Sequence, residues 1–384
     1  MEIRLSSPNS ARRICYYSAS YGYARVCYDL PVPGYCFERV RSVPMQRLFP
    51  RSPFWGGVRW FFPPRTRLIH TFNDLVMGGR SWVVSHELEL PRFFGPTSPA
   101  QIGRGYALLA SQHCRRILSM SDAARRWFLR RAPDSLRSSL SAKTCIFTGA
   151  VKAPEHFGIK PPPLARRHGP IRLVFVGNDA LRKGGFQILD AFDRLRKNGV
   201  NVTLDFVSAV NTRSYVQIEA DAHSRLVRRL RETEGVRWVQ KAPNSEVLRI
   251  LSEAHVGLLP TLDDSLGWSV IEMMAARLPV VGTNVVALPE MIQNNVSGML
   301  IDVPRDTDNR WIGLIARRGD REVIQDTDSR LVNGIVKAVA ALESDDDLRL
   351  RMGAAGRARY EENYAPERVA QQLKQIYDEI FDEH

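Results

Sequence analysis

PTLDDSLGWSVIEMMAARLPVVGT, residues 260–283, reads as a strand end, a loop containing a glycine, a helix and the next strand. The apolar run Val256–Leu259 precedes it and Val280–Val281 follows the helix. Short apolar runs of this kind suit strands buried on both faces of a parallel sheet. In an open parallel sheet, ligands gather at the carboxyl ends of strands, beside helix starts. The first turn of a helix offers unpaired N–H groups and a positive dipole end, a natural seat for a diphosphate. Gly267 lets the backbone approach closely, and Leu266, Trp268 and Ser269 flank it. Glu272 falls about one turn, roughly 5 Å, into the helix. A carboxylate there can accept both hydroxyls of a ribose diol, and Asp264 in the loop can reach a sugar hydroxyl. The plainer reading is a surface helix with solvated acids.

The same alternation continues outward. Ile171–Val176 (IRLVFV) predicts a buried strand, closed by Gly177, with a loop reaching Gly184 and Gly185. The helix after it carries Phe186, Leu189, Phe192 and Leu195 on one face, and Gly199 stops it. Further strands are expected at Val202–Val207, Arg237–Val239 and Met299–Ile301. Helices are expected over Asp221–Glu234, from a Ser245 cap, and at Pro289. Residues 304–330 read as a polar insertion, and Arg330–Phe381 as two amphipathic helices. Strand–helix alternation of this kind predicts a doubly wound α/β unit.

Upstream, GIKPPPLARRHGP (158–170) cannot form a central strand or a helix interior and reads as a linker. Before it, Leu68–His70, Trp82–Ser85, Ile117–Met120 and Thr144–Phe147 suit strands, with helices over Ala100–His113 and Asp122–Arg131. Residues 1–65 are rich in Arg, Tyr and Pro and give no clear element order. The expected division is 1–157, a linker at 158–170, 171–365, and a helix at 366–384 packing toward the first domain.

Further segments on both sides join the opening one in resembling a known family. Asp264-Ser-Leu-Gly-Trp-Ser-Val-Ile-Glu272 resembles the acid-x7-Glu motif of family-four glycosyltransferases, which have the GT-B fold. Met273–Ala276, Leu278–Val281 and Ala287–Glu290 also match. LVFVGNDALRKGGFQILDAF (173–192) is similar to the family's strand–loop–helix with a phosphate-binding lysine, here Lys183. DLRLRMGAAGRARYEENYAPERVAQQL (347–373) resembles its closing helices. SWVVSHELELPRF (81–93), RRILSMSDAARRWF (115–128) and KTCIFTGAV (143–151) resemble its first-domain strands.

The resemblance implies two Rossmann-like domains facing across a cleft and a retaining transfer from a nucleotide-diphosphate sugar to a glycan or lipid-linked acceptor. Lys183 would neutralise the departing diphosphate. His86 would touch donor sugar or acceptor, and Glu290 would approach the donor. The backbone of loops such as Lys241–Asn244 would meet the base. A solvated lysine, a structural histidine and a dipole-stabilising first-turn acid are the plainer readings of Lys183, His86 and Glu290. His70 and Asn73 of IHTFNDL (69–75) are candidates for the cleft lining. The chain departs from the family in having Asp264 where Glu is usual, and Asn178 where a basic residue is usual, with Arg182 as a substitute. The family's Gly-Gly loop is not visible in MEIRLSSPNSARR.

The chain has 384 residues and a formal charge of +13. Residues 1–170 hold 26 Lys+Arg against 9 Asp+Glu, and the remainder 28 against 32. That asymmetry predicts an anionic partner for the first half: a membrane surface, a phosphorylated acceptor or a nucleic acid. Trp55, Trp60, Phe61 and Phe62 among arginines would suit an interface. No run is long and apolar enough to span a bilayer and no h-region opens the chain, which predicts a cytoplasmic protein, peripheral on the inner membrane face. Five cysteines without CxxC spacing argue against a zinc site or disulfide framework. Walker A, GxGxxG, HExxH and Asp-x-Asp signatures are absent, so nothing calls for a metal or cofactor. Two alternatives stay open: an inactive GT-B-like binding subunit, and a nucleic-acid-binding protein, for which no motif speaks.

Overall fold

The computed structural model describes residues 11–18, 20–62, 68–93, 95–154, 157, 169–212, 214, 216 and 219–383. The predicted linker falls mainly outside these residues. The chain divides into two compact units, residues 1–151 with 364–384 and residues 152–363. The first boundary therefore lies six residues before the expected 157.

In the first unit, β1 (Arg12–Tyr16) runs into a short helix α1 (Tyr21–Val26) and then β2 (Tyr35–Arg39). A small sheet follows, from β3 (Ser42–Pro44), β4 (Val58–Phe61) and β6 (Leu75–Met77), with β3 antiparallel and β6 parallel to β4. The main sheet continues with β5 (Leu68–Phe72), β7 (Trp82–His86), β8 (Cys114–Ser119) and β9 (Thr144–Ile146). Its order is β2-β1-β5-β7-β8-β9, all parallel. Helix α2 (Pro99–Ala110) begins with a Ser98–Gln101 capping box, and Ser121 caps α3 (Asp122–Arg131). Helix α4 (Asp134–Lys143) has no counterpart among the expected elements, because its apolar stripe is reduced to the buried Leu140.

The second unit repeats the plan. Its strands are β10 (Ile171–Val176), β11 (Val202–Val207), β12 (Val236–Val239), β13 (Val256–Leu259), β14 (Val280–Thr283) and β15 (Gly298–Ile301). They form a parallel sheet in the order β12-β11-β10-β13-β14-β15. The intervening helices are α5 (Gly185–Lys197), α6 (Ala222–Glu232), α7 (Asn244–Glu253), α8 (Trp268–Ala275) and α9 (Leu288–Met291). Ile188 rather than Phe186 joins Leu189, Phe192 and Leu195 in the core. Helix α7 starts at Asn244 behind Pro243, so Ser245 is inside it and is not its cap.

The expected insertion at 304–330 proves to be two things. Residues 302–320 form a loop closed by an Arg305–Trp311 bridge, and Arg321 opens the 24-residue helix α10 (Arg321–Ser344). Val323, Thr327, Leu331 and Ile335 make its buried stripe, which the surrounding charges obscure in the sequence. Asp345 and Ala365 then break the tail into α11 (Asp346–Asn363) and α12 (Pro366–Asp382), so three helices stand where two were expected. Helix α11 stays with the second unit, where Gly353 lies against the Arg277 carbonyl. Helix α12 belongs to the first, where Tyr377 is buried and Arg115 and Arg116 pair with Glu383.

Candidate active site

The strand order reverses at β10, with β11 on one side and β13 on the other. Such a switch point opens a crevice beyond the strand ends. Residues 177–184 leave β10 there and residues 260–267 leave β13. Two contacts tie the loops together. The Leu262 N–H donates to the Arg182 carbonyl at 3.0 Å. Gly184 adopts φ +79°, and a Cβ on it would lie 2.6 Å from the Pro260 carbonyl oxygen. Only glycine suits both the left-handed backbone and that approach. Gly177 makes room in a related way. Its missing Cβ leaves space for the Lys183 stem, whose Cδ lies 2.7 Å from where that atom would be.

Lys183, so placed, meets Asp264 across the crevice, with Nζ 2.7 Å from Oδ2 and both side chains about one-seventh exposed. Burial opposes the Asp264 charge, but Lys183, Arg182 and the Leu266 N–H outweigh it and hold the carboxyl below its usual range. Arg182 is itself engaged: its Nε donates to Asp179 Oδ2 at 3.0 Å, so its charge is shared. The Asn178 side chain is exposed, and its carbonyl accepts from the Asn211 N–H.

Gly267 caps α8, and the helix's first turn contains the most telling atom of the site. Ser269 is only 7% exposed, yet its Oγ has no hydrogen-bond partner. A buried hydroxyl left unsatisfied costs about 1–3 kcal/mol, so its retention at a helix start points to a ligand that satisfies it. One turn on, Glu272 is 3% exposed and accepts from Asn244 Nδ2 at 3.0 Å. Leu266 and Gly267 pack inward, Trp268 opens the helix, and Glu290 is half-buried on α9. Arg359 donates to the carbonyls of Glu290 and Met291, fixing that short helix from α11.

The second unit thus gathers Lys183, Asp264, Ser269 and Glu272 around one switch point. His86 is a residue of the other unit. It ends β7 in the first unit, fully buried against Phe128, with Nε2 2.7 Å from Ser119 Oγ. Burial lowers its pKa to about 4, with a backbone bond at Glu87 pulling upward. His70 is likewise sealed, between Tyr377 Oη at 2.7 Å and Ser85 Oγ at 2.8 Å, and desolvation lowers it to about 3. It therefore lines no open surface. Asn73 does, at the end of β5, where it clips Glu87 through both the Glu87 N–H and its carboxylate.

Sequence reasoning missed the side chain of Asn244 as the partner of Glu272, and the pair Arg310–Asp263, 3.7 Å apart and buried behind the Asp264 loop. Asn244 sits in the Lys241–Asn244 segment expected to meet the base through its backbone; Arg310 has no local signal. Among the described residues no group of three or more His, Cys, Asp or Glu side chains could hold a metal ion. No helix among them is long and apolar enough to cross a membrane.

Known proteins resemble this chain. Residues 170–316 match the family model for glycosyl transferases group 1. The α-maltose-1-phosphate synthase of Mycobacterium tuberculosis is 25% identical over 321 residues, covering 78% of this chain and 72% of that one. The sucrose-phosphate synthase of Thermosynechococcus elongatus superposes with a TM-score of 0.60 at 14% identity, covering 97% of this chain and 89% of its own. HepE of Anabaena, solved in complex with UDP, superposes with a TM-score of 0.60 at 12% identity, covering 96% and 100%. The fold is GT-B, and the protein is a glycosyltransferase.

Proposed function

We propose that the chain moves a sugar from a nucleotide-diphosphate sugar to a glycan or lipid-linked acceptor, with retention of configuration. The observation that carries this reading is the buried, partnerless Ser269 hydroxyl at the start of α8, beside the Lys183–Asp264 pair. A diphosphate seated at that helix start would take the hydroxyl and the first-turn amides as donors. Lys183 would turn from Asp264 to the phosphates and offset the charge that grows as the glycosidic bond breaks. Asp264 would then hold a donor-sugar hydroxyl. Glu272, oriented by Asn244, would accept from the ribose diol. On the retaining course the acceptor attacks from the leaving-group face, and the departing phosphate takes its proton. His86, its Nε2 held by Ser119 at the end of β7, would touch the donor sugar or acceptor.

The test is thermal stabilisation by UDP, GDP and ADP, on wild type, Lys183→Gln and Glu272→Ala. A ligand at a hundred times its dissociation constant adds about 2.7 kcal/mol. One nucleotide should stabilise wild type and neither variant. Equal stabilisation of all three proteins would remove the assignment, and no stabilisation of wild type would favour an inactive binding subunit.

A second reading concerns where the acceptor is met. In the small sheet and the loop before it, Leu48, Phe49, Trp60 and Phe62 are 62%, 47%, 44% and 55% exposed. Arg41, Arg47 and Arg51 are exposed on the same segments. Phe61, expected among the surface aromatics, is instead 1% exposed, because alternate residues of β4 point to opposite faces. Apolar side chains ringed by arginine suit the inner face of an anionic membrane. Co-sedimentation with phosphatidylglycerol vesicles should be lost in Phe49→Ser/Phe62→Ser and weakened by salt. Wild-type protein that stays in the supernatant would refute the docking.

A further inference from the structure

In the first unit a pocket of about 710 Å³ lies beyond the ends of β5 and β7, beside the small sheet. Its lining includes Phe72, Asn73 and Asp74, which follow one another out of β5. Small-molecule sites are commonly of this volume. What distinguishes it is charge: Arg47, Arg59 and Arg92 line it against only two carboxylates, Asp74 and Glu87.

The three arginines are held differently. The Arg59 guanidinium stacks 3.9 Å over the ring of Tyr17, the residue after β1. Its Nε donates to Asp74 Oδ2 at 3.0 Å and its NH1 to Ser42 Oγ at 3.4 Å. Arg92 donates to Glu87 Oε2 at 3.0 Å, and Asn73 Nδ2 donates to the same oxygen at 3.1 Å. Arg47, exposed at the end of a single 3-10 turn, has no carboxylate partner among the described residues. Burial lowers the Arg59 pKa, and the like charge of Arg47 lowers it further, so the two guanidiniums repel across the pocket. Burial raises the Asp74 carboxyl, against the pull of Arg92, and Arg59 at 3.0 Å is its closest cation. An anion between Arg47 and Arg59 would relieve the repulsion and accept bidentate hydrogen bonds from planar donors.

We infer that this pocket binds the anionic group of the acceptor, a phosphate or carboxylate carried by the molecule whose hydroxyl receives the sugar, with Arg47 and Arg59 as its specificity-determining residues. The inference rests on the reading of the chain as a sugar transferase that needs an acceptor. It adds the acceptor's chemical class, which the donor site does not determine.

The experiment is calorimetric titration of the full chain, in dilute buffer and without nucleotide. The probes are glucose, glucuronate, glucose 6-phosphate and, as a lipid phosphate below its micellar concentration, dihexanoyl phosphatidic acid. At least one charged probe should bind about tenfold tighter than glucose, the advantage typical of charge-assisted contacts. Arg47→Gln, which alters an exposed side chain and should fold normally by near-UV circular dichroism, should abolish that advantage. Arg59→Gln, which leaves Asp74 without its closest cation, serves as the second variant. Preference for glucose 6-phosphate or glucuronate would identify a soluble acceptor, and preference for the phosphatidic acid a lipid one. Either supports the pocket. Equal binding of charged and neutral probes, or binding that survives Arg47→Gln but is lost in Lys183→Gln, would overturn it. Titration with UDP, GDP and ADP on the same preparations judges the donor site separately, so either reading can fail alone.

Discussion

Replacing Ser269 with alanine should make the protein more stable and a worse enzyme. The hydroxyl is buried and unpartnered in the unliganded site, so its removal relieves a desolvation cost of about 1–3 kcal/mol. Alanine is also the better helix former by about 0.5 kcal/mol. Against this stands the small void left by one oxygen, and a net gain of about 1 kcal/mol is expected. With nucleotide bound the sign reverses. A hydrogen bond to a charged phosphate contributes about 1.5–3 kcal/mol, so affinity for the preferred nucleoside diphosphate should fall roughly 10- to 100-fold. Urea denaturation with unchanged slope reads the first quantity, and calorimetric titration with nucleotide the second. If Ser269→Ala loses stability while its nucleotide affinity is intact, the hydroxyl is structural and the seat for the diphosphate lies elsewhere.

Lys183→Gln should cost about 3 kcal/mol, because it strands the buried Asp264 carboxylate; Asp264→Asn made on top of it should recover part of that loss in the same denaturation assay. Since the Asp264 pKa is depressed in the folded state, the pair's stabilisation is present above the unfolded carboxylate value of about 3.9 and lost as pH falls through the folded value. A urea midpoint for wild type and Lys183→Gln that converged only well above pH 5 would contradict this. His70 and His86, held neutral at about 3 and about 4, contribute stability that is complete above the unfolded value of about 6.5 and declines as pH falls toward the folded values. Each adds a slope of about 1.4 kcal/mol per pH unit in that window. His86→Gln should remove about half of the slope, and a flat profile between pH 6 and 5 in wild type would count against both assignments. Gly184→Ala forces a Cβ into the Pro260 carbonyl at positive φ. It should reduce nucleotide affinity at least tenfold, or else the two loops are not held as described.

The second unit was legible because its signals are local and contiguous. IRLVFV and VGLL are short apolar runs that suit buried strands, and the acid-to-Glu spacing of 264–272 lies within one loop and one helix. That Lys183 touches Asp264, 81 residues away, is a property of strand order, which periodicity does not encode. The first unit hid its opening strand because two arginines begin RRICY, where both are exposed. The basic excess of residues 1–170 points to an anionic partner, but that Arg47, Arg59 and Arg92 share one pocket shows only after the chain has folded. His70 differs: a chemistry-bearing side chain suggests a cleft lining, but Tyr377 and Ser85 hold both its ring nitrogens inside the core.

The membership of α12 in the first unit has a bearing on synthesis. A ribosome must make all of residues 152–363 before the helix that supplies Tyr377 to His70. The second unit, contiguous in the chain, can therefore complete its core while the first still waits with a buried imidazole half-satisfied and its Tyr35 face uncovered. The half of the molecule that starts first finishes last, and during translation it is the half more in need of protection from aggregation.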